Sequence, residues 1–260
     1  MERLRIGRIS YLNALPLFYK MMQSAEVPFQ LISGVPSEIN TAFIERRVDI
    51  ALISTLTYLQ HKNQCDLMKN FCLGSDGAVD SVCLLSTRPI EQLNNARIGL
   101  TSSSATSQSV LKILLQRYFK FQNHYQQISP SLANKSWQEN FDAILLIGDD
   151  ALSLSKTTVP YWYDMGKLWK QKTGVPILFA VLVKQKSVTE ENTQTVNTWF
   201  DESLQIFKEY PELVIAFAKS RSSLKINFRE YFSKLQFVFT EESQYALSVY
   251  ENHLKEIEIL

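Results

Sequence analysis

The chain has 260 residues, 45% hydrophobic and 20% charged, so it can bury a full core and is not disordered. Its 27 basic and 26 acidic residues give a net charge of +1, which leaves no electrostatic footprint for nucleic acid or an anionic membrane as a partner. The three cysteines show no CxxC spacing, and no apolar run approaches the ~20 residues that span a bilayer. The first ten residues lack the apolar core of a secretory signal, so we expect a cytoplasmic protein without disulfides.

Strands and helices alternate along the first sixty residues. Apolar runs predict the strands, and prolines tolerated in a first helical turn predict two of the helix starts. The predicted strands are 4–9, 29–32 and 49–53, and the predicted helices begin near Pro16, Pro36 and Leu56. This alternation is typical of a parallel sheet with helical crossovers.

Short polar side chains follow two of these strands. Ser10 and Asn13 come after the first strand, and Ser54 and Thr55 come after the third. In open α/β sheets ligands bind at the carboxyl ends of strands, which makes these four residues candidates for a binding site. The alternative interpretation is that they are ordinary turn formers and helix caps.

A second lobe is predicted to begin after the strand at 81–86, because Thr87-Arg88-Pro89 marks a break in the pattern. The next strand, 97–100, runs into Thr101–Ser107, where six of seven residues carry a hydroxyl. A helix follows directly, and the first amides of a helix lack partners and carry the positive end of its dipole. The hydroxyls and the first helical amides together predict a site without charged side chains that binds a carboxylate. The alternative is an N-cap with a solvated loop.

Two strands are predicted next, at 125–129 and 141–147, and the second is followed by Gly148 and Asp149, which open a helix. Asp149 is either an N-cap or a residue lining the ligand cleft. Downstream, we predict an aromatic segment, a helix and a buried strand, at 161–166, 167–172 and 177–183 respectively.

The remainder, 189–260, is expected to be entirely helical, with Tyr245, Val249 and Leu254 of its last helix facing inward. The three histidines, His61, His124 and His253, are expected on polar surfaces without partners at metal-ligand spacing, so we expect no metal site. The chain contains no GxSxG, GxGxxG or P-loop motif.

These elements predict an α/β fold with two lobes, joined by two crossovers and closed by a helical C-terminal return. Lobe 1 comprises 1–86 plus 185–260, and lobe 2 comprises 87–184. We expect a ligand cleft between the lobes, lined by the polar strand ends.

Six motifs occur in order along the chain: SYLNALPL (10–17), DIALIS (49–54), GxVxSV (77–82), IGL followed by SxTS (98–107), DAILLIGDDAL (142–152) and DMGKLWKQKTGVP (164–176). Together they resemble the chorismate dehydratase family of the futalosine route to menaquinone, over roughly residues 5–185. The chain departs from the family pattern at Ala105, where many members carry Arg.

The resemblance implies a type II periplasmic-binding-protein fold and a dehydration of chorismate, a dicarboxylate, to 3-[(1-carboxyvinyl)oxy]benzoate without a cofactor. It implies that Asn13 of SYLN and Ser81 of GxVxSV are catalytic. The remaining polar strand ends would then contact the substrate: Ser10, Ser54, Thr55, Ser103, Ser104, Thr106, Ser107, Gly148 and Asp149.

Three other functions compete with this one. A solute-binding protein has the same fold, and a serine-rich carboxylate site would serve it equally well. The sister enzyme that makes 1,4-dihydroxy-6-naphthoate also shares the fold, but carries an SPCPND-like block where this chain has SYLN. An effector-sensing domain would normally follow a helix-turn-helix, whereas this chain starts at the strand.

Overall fold

The structure, a computed structural model, describes residues 3–129, 137–154 and 159–260. Its internal contacts divide the chain into two compact units. Unit 1 comprises Met1–Leu73 and Phe179–Thr240, and unit 2 comprises Gly74–Leu178 and Glu241–Leu260. Within the described ranges, no helix combines the length and the apolar character needed to cross a membrane.

Most strands have three to six residues and lie where the apolar runs of the sequence predict them. In chain order they are β1 (Leu4–Ile9), β2 (Phe29–Gly34), β3 (Ile50–Ser54), β4 (Cys65–Ser75), β5 (Val82–Ser86), β6 (Arg97–Thr101), β7 (His124–Ile128), β8 (Ala143–Ile147), β9 (Tyr161–Asp164), β10 (Ile177–Gln185) and β11 (Gln236–Val238).

The helices mostly follow the strands. They are α1 (Leu15–Gln23), α2 (Pro36–Ile44), α3 (Thr55–His61), α4 (Ala105–Ile113), α5 (Gly148–Ser153), α6 (Met165–Thr173), α7 (Glu190–Glu209), α8 (Pro211–Arg221), α9 (Phe228–Ser233) and α10 (Glu241–Glu256). Helices α1, α2 and α8 each carry a proline in the first turn, where its missing N–H has no helical partner.

The sheet of unit 1 has the strand order β11-β4-β10-β3-β1-β2. Strand β1 runs parallel to both β2 and β3, and Ile6 pairs with Ile50. Arg5 and Asp49 hold this register, because the Asp49 carboxylate accepts from the Arg5 backbone amide at 2.8 Å and from its Nε at 3.0 Å. Every residue of β3 is buried, as expected for a strand covered on both faces.

The second sheet has the order β7-β6-β8-β5-β9 and lies in unit 2. Strand β6 is parallel to β7 and β8, whereas β5 is antiparallel to both of its neighbours, β8 and β9. Strands β5 and β8 are buried along their whole length and form the centre of the unit 2 core.

The sequence analysis missed three strands. Strand β4 was not predicted, because charged and polar residues interrupt its first half and only its second half is continuously buried. Strand β9 lies in the segment described above only as aromatic, and its four residues are half-buried. Strand β11 lies in the region expected to be entirely helical; its three residues pair at the edge of the first sheet.

The boundaries of the units also differ from the expected lobes, because two segments expected in lobe 1 belong to unit 2. The segment 74–86 does so because β5 pairs with β8 and β9. The segment 241–260 does so because Tyr250 of α10 hydrogen-bonds Ser109 and stacks edge-on against Trp169, with ring centroids 5.8 Å apart. The chain therefore passes between the units at three points, where the sequence predicted two.

Candidate functional site

In unit 1, the predicted residues lie at one edge of the first sheet. Strands β1 and β3 are parallel neighbours, so their carboxyl ends meet at the same edge. Ser10 directly follows β1, Ser54 is the last residue of β3, and Thr55 begins α3. Ser10 is exposed and its amide donates to the Gly34 carbonyl at 2.9 Å, whereas Ser54 and Thr55 are buried.

Ser54 is held by a residue that the sequence analysis did not single out. Asn40 of α2 donates from Nδ2 to the Ser54 hydroxyl at 3.0 Å, and its Oδ1 accepts from the Ser54 amide at 2.9 Å. Both residues are buried. The Ser54 hydroxyl therefore has a structural partner, and this pair fixes the carboxyl end of β3 against α2.

Asn13 lies in the short turn of 3-10 helix, Leu12–Ala14, that connects β1 to α1. Its Oδ1 is buried and has no hydrogen-bond partner among the described residues. A buried polar atom without a partner costs free energy, so it needs an explanation. Asn197 of α7 also carries such an oxygen, so this property alone does not define a site; Asn13 is distinguished by its position at the strand end.

In unit 2, the second sheet brings its predicted residues to one edge as well. The carboxyl ends of β6, β8 and β9 meet there with the first residue of β5, because β5 runs antiparallel to β8 and β9. This edge therefore carries Thr101–Ser107, Gly148, Asp149, Ser81 and Asp164.

Ser81 is fully buried immediately before β5. Its backbone is bonded on both sides: its amide donates to the Val79 carbonyl at 2.7 Å, and its carbonyl accepts from the Gly148 amide at 2.7 Å. Its hydroxyl has no partner within the described part of the chain. The side chain is thus the only polar group of this residue that the fold leaves unused.

The serine-rich stretch before α4 satisfies many of its own hydroxyls. Ser104 caps the helix and accepts from the Ser107 amide at 3.3 Å, and the two side-chain oxygens lie 3.1 Å apart. Ser103 accepts from the Thr101 hydroxyl at 3.4 Å. Thr106 is fully buried and its side chain hydrogen-bonds Tyr250. Of the predicted hydroxyls, that of Thr106 is therefore directed into the core of unit 2.

Gly148 and Asp149 begin α5 at the end of β8. Gly148 has φ +58°, a left-handed conformation that glycine adopts without strain. Asp149 lies half-buried in the first turn of α5. The N-cap position belongs to Ile147, so Asp149 is not the cap that one interpretation of the sequence proposed.

Asp164 is the second residue that the sequence analysis missed. Its carboxylate accepts from the amides of Val79, Asp80 and Lys167 at 3.0, 2.6 and 2.9 Å, and so joins the loop before Ser81 to the start of α6. Burial raises the pKa of this carboxyl, although the three amides oppose the shift. An Asp three residues before a helical amide is a typical N-cap, and that signal was present in the sequence.

Each edge offers neutral hydrogen-bonding groups: the carboxamide of Asn13 and nearby hydroxyls in unit 1, and the hydroxyls of Ser81 and of the stretch before α4 in unit 2. Such groups orient and polarise a ligand without titrating near neutral pH. His253 is not on a polar surface as expected: it is buried, with Nε2 3.0 Å from the Tyr118 hydroxyl. Among the described residues there is no group of three His, Cys, Asp or Glu that could hold a metal ion.

The fold is that of the periplasmic binding proteins. Protein AF1704 from Archaeoglobus fulgidus superposes with a TM-score of 0.81, covering 99% of this chain and 98% of that one at 14% identity. The periplasmic aliphatic sulphonate binding protein SsuA from Escherichia coli superposes with a TM-score of 0.71, covering 100% and 89% of the two chains, also at 14% identity. The predicted fold class is confirmed.

The chain belongs to the menaquinone biosynthesis family, whose family model matches residues 4–256. A chorismate dehydratase from Thermus thermophilus is 28% identical to this chain in an alignment 198 positions long, which covers 68% of this chain and 68% of that protein. The family resemblance that the motifs indicated is therefore confirmed.

Proposed function

We propose that this protein dehydrates chorismate to 3-[(1-carboxyvinyl)oxy]benzoate, in the cytoplasm and as a step of menaquinone biosynthesis. Membership of the family and similarity to a chorismate dehydratase support this reaction. One structural observation supports the residues: Asn13 and Ser81, which match the family motifs, both keep a buried oxygen that no described residue satisfies.

The protein has to supply few reactive groups for this reaction. The proton on C3 and the hydroxyl on C4 of chorismate leave as water, and the ring becomes aromatic, so the substrate supplies the driving force. The enzyme has to orient the substrate and stabilise the charge that develops as the bonds break. A carboxylate of the substrate is the proposed acceptor of the C3 proton, and neutral donors on the protein suffice for the rest.

We assign these hydrogen-bonding groups separately; in Asn13 the unpartnered Oδ1 accepts and Nδ2 is the donor. The Ser81 hydroxyl donates to the departing C4 hydroxyl, and the Asn13 carboxamide holds and polarises the enolpyruvyl group. The first turn of α4 binds one carboxylate at the positive end of the helix dipole, with the hydroxyls of Ser103, Ser104 and Ser107 around it. Ser54 and Thr106 have the structural partners Asn40 and Tyr250, so their part is to shape the site. Further contacts are proposed for Ser10, Thr55, Gly148 and Asp149.

The test mixes purified protein with chorismate and follows the product by chromatography and mass. The wild-type protein should convert chorismate to a product lighter by one water. Asn13→Ala and Ser81→Ala should each lower kcat by on the order of 10²-fold or more, the usual effect of losing a donor to the transition state.

Ser86→Ala is the matched control for Ser81→Ala. Both serines are fully buried and lie at opposite ends of β5, but the Ser86 hydroxyl donates to the Arg88 carbonyl at 2.6 Å. Ser86→Ala should therefore lower the free energy of unfolding by about 1 kcal/mol and leave kcat unchanged. Ser81→Ala loses no bond to a described residue, so it should lower kcat while stability changes little.

Other outcomes would overturn the proposal. Chorismate that binds without turnover, shown by a raised Tm and unchanged substrate, would favour a solute-binding protein. Chorismate that neither reacts nor shifts the Tm would exclude it as the substrate, and the sister naphthoate-forming reaction would then be tested next. Equal kcat in Ser81→Ala and Ser86→Ala would remove Ser81 from the catalytic machinery.

A further inference from the structure

The loop Gly77–Ser81 precedes β5 and carries Ser81 at its end. Its carbonyls are occupied from within unit 2: the Ser75 hydroxyl donates to those of Gly77 and Ala78 at 3.0 and 2.9 Å. The Asp80 carbonyl accepts from the Cys83 thiol at 3.1 Å. Because these backbone groups already have partners, the conformation of the loop is held by many contacts at once.

One carboxylate holds the amides of this loop. Asp164 accepts from the Val79 amide at 3.0 Å and from the Asp80 amide at 2.6 Å, while its other oxygen accepts from Lys167 at 2.9 Å. Asp164 is the last residue of β9, and β9 pairs with β5 in the register Cys83 to Asp164. The same side chain thus caps α6 and fixes the two amides directly before Ser81.

The loop also packs closely against the start of α6. A Cβ added to Gly166 would lie 2.3 Å from the Gly77 carbonyl oxygen and 3.4 Å from Val79 Cβ, so only glycine allows this approach. Asp80 adopts φ +58°, which is uncommon for a residue with a side chain. Such a conformation persists where its surroundings over-determine it, and it is often found at functional sites.

The result of these contacts is a serine whose backbone is held on both sides and whose hydroxyl no described residue uses. Both Ser81 backbone groups are bonded, its side chain is fully buried, and its Oγ has no partner among the described residues. A donor that is to act on a departing group has to be in place before the reaction, because reorganisation then costs no barrier.

We propose that Asp164 is a positioning residue that acts through Ser81: by binding the Val79 and Asp80 amides it holds the Ser81 hydroxyl where the reaction needs it. This inference rests on the proposed function, since it assigns to Asp164 a part in the chemistry of Ser81. Asp164 touches no substrate in this account.

The kinetic test is a double-mutant cycle on chorismate turnover. Asp164→Ala alone should lower kcat by on the order of 10-fold or more with a smaller change in KM, because the donor is misplaced while the other binding groups remain. In a Ser81→Ala background the same substitution should lower kcat less than about 3-fold, since the hydroxyl it positions is already gone. A purely structural role would give the same loss in both backgrounds.

Asp164→Asn adds a finer test. An asparagine has one carbonyl oxygen: at the Oδ1 position it can still accept from Lys167 at 2.9 Å and from Val79 at 3.2 Å, but its NH2 group then faces the Asp80 amide, which loses its acceptor. We expect a kcat between those of the wild-type protein and Asp164→Ala. The control is Thr189→Ala, which removes the cap of α7 in unit 1, where Thr189 accepts from the Asn192 amide at 3.3 Å, and should leave kcat unchanged.

Hydrogen exchange separates this inference from the proposed function. The Val79 and Asp80 amides should exchange faster in Asp164→Ala than in the wild-type protein or Thr189→Ala, whether or not chorismate reacts. Equal exchange overturns the inference, as does an equal kcat loss in both Ser81 backgrounds. If the wild-type protein does not turn over chorismate, the proposed function fails and so does the catalytic part assigned to Asp164, while faster exchange would still show that Asp164 holds the loop.

Discussion

Replacing Tyr250 by Phe removes one hydroxyl from the packing of α10 within unit 2 and leaves the ring in place. Tyr250 is fully buried, and its hydroxyl hydrogen-bonds those of Ser109 and Thr106. Its ring lies edge-on to Trp169 with centroids 5.8 Å apart. The substitution therefore tests whether this buried contact holds the last helix to unit 2.

The decrease in the free energy of unfolding depends on which groups lose a hydrogen-bond partner. Ser109 keeps its bond to the Thr106 carbonyl at 2.8 Å, so it is not left unsatisfied. The hydrogen bond between Tyr250 and the fully buried Thr106 is also lost, so the substitution removes two buried bonds, each worth about 0.5–1.5 kcal/mol net. We therefore expect Tyr250→Phe to lower the free energy of unfolding of unit 2 by about 1–2 kcal/mol. Tyr250→Ala also leaves a cavity, and should cost about 3–5 kcal/mol.

Urea unfolding at 25 °C, followed by circular dichroism and by tryptophan fluorescence, measures these changes. Because two units can unfold in separate steps, the two probes are first compared to identify the transition that the substitution shifts. The change in free energy of unfolding is then taken from that transition. The control is Tyr245→Phe on the same helix, whose side chain is 62% exposed and which should change stability by less than about 0.5 kcal/mol.

A cycle with Ser109→Ala isolates the contact itself. If the two hydroxyls bond, the effects of Tyr250→Phe and Ser109→Ala should fall short of additivity by about 0.5–1.5 kcal/mol. Strict additivity, or a Tyr250→Phe effect no larger than that of Tyr245→Phe, would refute the reasoning.

Three further predictions concern single groups. Asn40→Ala should lower the free energy of unfolding by about 1–3 kcal/mol, because it leaves the buried amide and hydroxyl of Ser54 without their partner; an unchanged urea midpoint would contradict this. Burial lowers the pKa of His253 below its unfolded value, so the unfolded chain binds more protons and stability should fall as pH drops through about 6.5. Between pH 7.5 and pH 5.5 the Tm should therefore fall less in His253→Gln than in the wild-type protein. Equal decreases in Tm would contradict this role of His253. Gly174 ends α6 with φ +77°, and the space around its Cβ position is open. Gly174→Ala should therefore lower the free energy of unfolding by about 1–2 kcal/mol through backbone strain alone, and Gly174→Asn should lower it less. Equal urea midpoints for the two variants would exclude backbone strain as the cause.

Much of the fold could be predicted because it follows from local patterns. Strand β8 is an uninterrupted apolar run, and α1 and α2 begin at prolines, so neighbouring residues suffice to predict them. The short strand β11 could not be predicted in this way, because its three residues become a strand only by pairing at the sheet edge.

The last helix shows the same limit at the level of single side chains. Periodicity predicted that Tyr245, Val249 and Leu254 face inward. Leu254 is buried and Val249 is half-buried, but Tyr245 is exposed and Tyr250 is the aromatic that enters the core. Helical spacing allows several faces, and which one is buried depends on the surface that the helix meets. Here that surface includes Ser109 and Trp169, both distant in the chain.

By itself, the sequence determined the family, the alternation of strands and helices, and the two candidates Asn13 and Ser81, because motifs and periodicity are properties of neighbouring residues. Only the tertiary structure decided which hydroxyls are already used: Ser54 by Asn40, and Thr106 by Tyr250. It also revealed Asp164 as the partner of the loop before Ser81. The physical reason is that a hydrogen bond depends on distances in space, and the residues that satisfy these groups approach them only when the sheets and helices have packed.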